Sequence, residues 1–194
     1  MPKKKYTGLI AGGIIVLLGI YLVVTYNSLV KKEEAVKKQW SEVQATYQRR
    51  LNLVPNLVAV VKGMSEFEAG TLEAVASARS RALAGQSTVF SSENVQQEQM
   101  LQDSLALAAN RLIAVIENYP VLKGTDAYAG LQTQLEGTER RIKIARKDFN
   151  QAVADYNVTV RSTSGMLAAK LFGFKPMEGF QAEEGADRAV EIKF

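Results

Sequence analysis

The sequence predicts an all-α protein: an N-terminal transmembrane helix followed by an antiparallel bundle of three to four long helices. Three observations predict it. No charged residue occurs between Lys5 and Lys31. Downstream, apolar residues recur at a spacing of about 3.5 residues over long runs. No strand-like alternation is evident before the tail.

The uncharged stretch comes first. Its densest apolar part is Leu9 to Val24, LIAGGIIVLLGIYLVV. Bounded by Tyr6 and Tyr26, the segment has about 20 residues, which at about 1.5 Å per residue spans the ~30 Å hydrocarbon core of a bilayer. Tyr6, Tyr21 and Tyr26 suit interfacial positions. A cleaved signal peptide is the competing reading, but bulky Leu22, Val23, Val24 and Tyr26 stand where a small-residue cleavage site belongs. Lys3, Lys4 and Lys5 favour a cytoplasmic N-terminus with the bundle on the far side, although Lys31, Lys32, Lys37 and Lys38 flank the other end. Gly8 and Gly12 form a small-x-x-x-small pair of the kind that lets two spanning helices pack closely.

Beyond the anchor, Val36, Trp40, Val43, Tyr47, Val54, Leu57 and Val61 fall on one stripe, with Arg50 as its polar exception. The phase does not slip at Pro55, which argues for a bend in the helix rather than a stop. Leu72, Val75 and Ala82 continue the phase, so one helix to about Ala84 is expected, with a break at Lys62–Gly63 as the alternative. No breaker lies between Asn27 and Ala35, so the span is expected to run uninterrupted into the first bundle helix. Gly85 to Ser92 forms a loop ending in a capping serine. A second stripe follows: Leu101, Leu105, Ala108, Leu112, Val115 and Tyr119, stopped by Pro120. Thr125 or Asp126 can cap the next helix, whose stripe is Leu131, Leu135, Ile142, Phe149, Val153, Tyr156 and Val160. Met166 to Phe172 is expected as a short helix. The divisions are therefore a basic tail over 1–5, the span over 6–26, the bundle over 27–164, and a short helix with an irregular tail over 165–194.

Composition narrows the chemistry. The chain has no histidine and no cysteine. This excludes Ser-His-Asp, Cys-His, zinc-finger and Glu-x-x-His di-iron sets. No phosphate-binding G-x-x-x-x-G-K-[ST] string occurs. The net charge is +4, and Lys3 to Lys5 supply most of it. The rest is close to neutral, which argues against a nucleic-acid-binding face. No catalytic residue, cofactor-binding residue or metal ligand is expected, and no cofactor. Arg49, Arg50, Asn52, Asn56, Glu117, Asn118, Glu139, Arg146, Asn150 and Asn157 lie among the stripes. They are expected to form a structural polar network that fixes helix register, with Glu139 or Glu117 satisfying Arg50.

The string YNSLVKKEEAVKKQWSEVQATYQRRLNLVPNLV, then ENYPVLKG, then LEGTERRIKIARKDFNQAVADYN resembles the LemA family in content and order. The resemblance covers nearly the whole chain. It implies an antiparallel helical bundle behind one membrane helix. The family's patterned positions correspond to Tyr26, Asn27, Trp40, Arg50, Pro55, Asn56, Arg79, Glu117, Asn118, Tyr119, Pro120, Glu139, Arg146, Asn150 and Asn157. Where members carry a Phe-Pro step after the last long helix, this chain has Arg161-Ser162-Thr163-Ser164, so a different C-terminal turn is expected. The resemblance names a fold more than an activity. The expected function is that of an interaction or scaffold protein of the bacterial cell envelope, single-pass in the inner membrane and not an enzyme. Its expected partners are the lipid bilayer, itself and other envelope membrane proteins. The alternative is a self-assembling protein that organises or remodels membrane through the anchor and the long first helix.

Overall fold

The computed structural model describes residues 3–62, 69–87 and 89–181. Gly63, the alternative break point, lies outside the described residues, as do Met1 and Pro2 of the basic tail and the tail beyond Gln181. The described residues are helical, without strands, in the order α1 (Lys3–Lys62), α2 (Ala69–Ala84), α3 (Ser92–Ile116), α4 (Pro120–Lys123), α5 (Asp126–Arg161) and α6 (Thr163–Phe172).

α1 is a single 60-residue helix that contains Pro55. Proline removes the N–H that would bond the carbonyl four residues back, here that of Leu51. The structure supplies a substitute donor. Arg79 Nε of α2 donates to Leu51 O at 3.0 Å. Leu51 is fully buried, where an unmade carbonyl bond is costly. Arg79→Met is therefore expected to cost about 1.5 kcal/mol, as for a bond from a charged donor. In a Pro55→Ala background the restored N–H takes the same carbonyl, and the cost should shrink. A double-mutant cycle on denaturant midpoints measures the coupling; equal costs in both backgrounds would refute the substitution of one donor for the other.

Residue contacts divide the chain into two compact units. One contains Glu42–Lys147 and the segment from Gly179. It is an up-down-up-down bundle of α1, α2, α3 and α5. Gln86, just past the end of α2, donates to Gln48, and Arg79 of α2 donates to Leu51, so α2 runs antiparallel to α1. Gln44 pairs with Glu98 and Arg50 with Gln102, so α3 runs parallel to α1. Arg50 pairs with Glu139 and Tyr47 with Arg146, so α5 returns antiparallel. Leu51, Leu57, Val61, Val75, Ala82, Leu105, Leu112, Ile116, Tyr128 and Leu135 meet in its core. The other unit is α1 up to Ser41 with Asp148–Glu178, that is, the end of α5, α6 and the segment after it. Trp40 and Phe149 pack there with ring centroids 5.7 Å apart.

The helix ends follow capping chemistry. Ser91 Oγ accepts from Asn94 N at 3.1 Å and opens α3. Thr125 Oγ1 accepts from Tyr128 N at 3.3 Å and opens α5. α3 stops at Ile116, earlier than Pro120, and Pro120 instead begins α4, a first-turn position where its missing N–H is harmless. α6 starts at Thr163, three residues before Met166, because Ser162 Oγ accepts from Gly165 N at 2.9 Å. Gly173 closes α6 with φ +80°, the left-handed conformation glycine tolerates.

One described helix is long and apolar enough to cross a membrane, and none of its most apolar 18-residue window is buried. Ile14, Ile15, Val16, Leu17 and Leu18 are consecutive, so they point all round α1, yet each is at least 49% exposed. A helix that is apolar on every face and uncovered by its own chain is suited to hydrocarbon rather than to water.

Candidate functional site

The expected polar residues converge most strongly on α1, α3 and α5 in the bundle that begins at Glu42. Arg50 is 2% exposed. Its guanidinium forks onto the Glu139 carboxylate, Nε donating to Oε1 at 2.7 Å and Nη2 to Oε2. Nη1 donates to Gln102 O at 2.9 Å and to its side-chain Oε1 at 3.3 Å. Glu139, and not Glu117, is thus the partner of Arg50. About two turns further along α5, Arg146 Nε donates to the Tyr47 hydroxyl at 2.9 Å and Nη2 to Asp103 at 2.6 Å. Its guanidinium also lies over the Tyr47 and Phe180 rings. Burial pushes the Tyr47 phenol up to about 12, against the opposing pull of Arg146.

A second cluster ties the loop after α2 to α1 and α3. Glu98 Oε1 accepts from Ser87 N at 2.8 Å and from Gln44 Nε2 at 3.2 Å. Burial raises the Glu98 carboxyl above its ordinary range, opposed by the Ser87 N–H and the Gln44 amide. Asn94 completes the loop, donating to Val89 O at 2.8 Å and Ser87 Oγ at 3.0 Å.

In the unit containing α6, Asn157 donates from Nδ2 to Met177 O at 2.8 Å and accepts from Met177 N at 2.9 Å. The amide thus mimics a backbone pairing and fixes the segment after α6 on α5. Tyr156 adds a bond to Lys175 O at 2.9 Å. Asn150 is half-buried on α5.

The remaining sites lie apart. Arg49, Asn52, Asn56, Glu117 and Asn118 are exposed, because they sit beside the buried stripes rather than on them. Gly8 and Gly12 stand on the bare part of α1, and a Cβ at either would meet nothing within 4 Å. Tyr47, Gln102, Asp103 and Glu98 were not foreseen as network members. A signal for two of them exists. Val95, Glu98, Gln102, Leu105, Ala109, Leu112 and Ile116 are all buried. They form one alternating three–four register, which tracked backward from Ile116 reaches Gln102 and Glu98.

The arrangement ties α1, α3 and α5 to one another. Each charged group in the Arg50 and Arg146 clusters faces a partner of opposite sign. Open grooves of about 750 Å³ beside Arg50, Asp103 and Arg146, and about 710 Å³ between α2 and α3, run along the surface. Among the described residues no group of three or more His, Cys, Asp or Glu side chains could hold a metal ion.

Comparison with known proteins finds relatives over most of the chain. Magnetosome protein MamQ 2 of Paramagnetospirillum magneticum is 27% identical over 188 aligned residues, covering 87% of this chain and 69% of the relative. Magnetosome protein MamQ of Magnetospirillum gryphiswaldense gives the same identity and coverage. The LemA family pattern matches residues 39–194, from just before Trp40 through the whole bundle. With most of its length matched, the chain belongs to the LemA family.

Proposed function

We propose that this chain is a membrane-anchored interaction or scaffold protein of the bacterial cell envelope, without catalytic activity. The observation that carries this reading is α1 itself. One unbroken helix bears the uncovered apolar segment and also the core residues Val43, Tyr47, Val54 and Leu57. In this reading residues 6–26 cross the inner membrane, residues 27–164 form the bundle, and Lys3 to Lys5 keep the N-terminus in the cytoplasm. Residues 1–5 are the basic tail, and 165–194 are a short helix with an irregular tail. The polar network serves register, as its mutually satisfied charges support. The likeness to two magnetosome proteins supports a membrane-associated role. Affinity capture of the full chain from mild detergent tests the reading. A recurrent envelope protein at fixed stoichiometry supports it, and repeated recovery of this chain alone counts against it.

A second reading is self-assembly that organises membrane. It is supported by the open surroundings of Gly8 and Gly12, which leave room for a second helix at close range. Size measurement in mild detergent separates the two. A monomer at high concentration would sink the second reading.

A further inference from the structure

α6 presents an apolar face that its own chain leaves bare. Gly165, Ala168 and Ala169 turn inward and are buried. On the other side Met166, Leu167, Leu171 and Phe172 are 45–63% exposed. The only charge in Thr163–Phe172 is Lys170, whose stem can lie on an apolar surface while its ammonium reaches water or headgroups.

Its place on α1 says what covers it. The Tyr21 hydroxyl donates to Ser164 O near the start of α6. At the other end, the Tyr26 ring lies 4.8 Å from that of Phe172 and 5.7 Å from that of Phe174. Tyr21 and Tyr26 close the bare apolar run of α1, and between them Val23 and Val24 are 59% and 62% exposed. The exposed apolar side of α6 is thus continuous with the exposed apolar side of the anchor, at the level where tyrosines mark the membrane–water interface.

We propose that α6 is an interfacial helix: it seats in the headgroup–acyl boundary of the same bilayer that α1 crosses. The occupant of its apolar face is lipid. This rests on the reading of α1 as a membrane anchor. A single spanning helix leaves the domain above it free to swivel and tilt. A second contact at α6 fixes which side of this unit faces the membrane.

The absence of cysteine allows single labels to be added without other changes. Leu167→Cys and Leu171→Cys test α6, Val16→Cys reports on the anchor, and Leu107→Cys, at an exposed position of α3, reports on water. Each full-length variant is labelled with an environment-sensitive dye. It is then reconstituted into phosphatidylcholine–phosphatidylglycerol vesicles carrying spin labels at shallow or deep positions. The labels at 167 and 171 are expected to emit blue-shifted relative to 107 and to be quenched most by shallow spin labels, at the depth of about 5–10 Å typical of interfacial helices. The label at 16 is expected to be quenched most by deep ones. If 16 is quenched and both α6 labels behave like 107, the seating of α6 is wrong and the anchor stands. If 16 is not quenched, the anchor reading itself fails. Blue-shifted α6 labels that no lipid-borne spin label quenches would show a protein occupant, such as a second copy, and would overturn the proposal.

Discussion

Glu139→Ala will destabilise the helical bundle by about 3 kcal/mol, more than twice the cost of Arg50→Met. The asymmetry follows from burial. The Arg50 side chain is 3% exposed and that of Glu139 is 47% exposed. Removing the carboxylate leaves a guanidinium inside the bundle, with only the Gln102 carbonyl and side-chain oxygen to receive it. An uncompensated buried charge typically costs about 3–5 kcal/mol, and the lower end applies because water already reaches the Glu139 side of the pair. Removing the arginine instead leaves a carboxylate that solvent can take over, while methionine fills the vacated space. For a chain of this size about 3 kcal/mol corresponds to roughly 6–12 °C in Tm. Far-UV circular dichroism melts of the two full-length variants in detergent measure it. A larger loss for Arg50→Met than for Glu139→Ala would show that the cost lies in packing and not in charge.

The second large effect is expected at Gly165. A Cβ on this residue would stand 1.8 Å from Thr159 O and 2.9 Å from its carbonyl carbon. Both are backbone atoms in the last turns of α5, which cannot swing aside as a side-chain tip can. Gly165→Ala must push the first turn of α6 off α5, and overpacking of this kind costs about 3 kcal/mol. The loss should be local. Ser162 would lose its bond to Gly165 N, and Ala168 and Ala169 would lose cover. Hydrogen exchange of the α6 amides should rise by about two orders of magnitude, with little change at Leu105 or Leu112 in the other unit. Unchanged protection across Met166 to Leu171 would refute the clash.

The sequence made α1 and α5 legible because apolar residues occupy nearly all of their buried positions. The stripe from Val36 to Val61 is buried in full, and Arg50, its polar exception, is buried with it. Leu135, Ile142, Phe149, Val153, Tyr156 and Val160 are likewise buried. α3 was harder. Its buried line includes Glu98 and Gln102, so hydrophobicity moves the apparent stripe one residue aside, to Leu101, Ala108 and Val115, which are only half-buried. The network was legible where a charge interrupted an apolar stripe, as at Arg50. It was illegible where an apolar-looking residue supplied a polar atom, as with the Tyr47 hydroxyl. Asn56, Glu117 and Asn118 are exposed. Their spacing places them near the stripes, but spacing cannot resolve a neighbour of the core from a member of it. The bond from Arg79 to Leu51 was beyond reach, because it answers an acceptor that Pro55 orphaned on another helix.

The pairing of α1 with α5 and α6 also sets a schedule for biosynthesis. The linked residues are 89 apart in sequence at Arg50–Glu139, 99 at Tyr47–Arg146, 123 at Lys32–Asp155 and 143 at Tyr21–Ser164. The separation grows toward the N-terminal end of α1. On a ribosome adding about 5–20 residues per second, Lys32 waits roughly 6–25 s for Asp155 to be made. For that interval the strip containing Leu29, Val36 and Trp40, buried in the finished fold, lacks the α5 residues that cover it. Assembly can then proceed as a zipper, starting near Arg50 and closing last at Tyr21. The residues nearest the apolar run of α1 are thus the ones that wait longest for their partners.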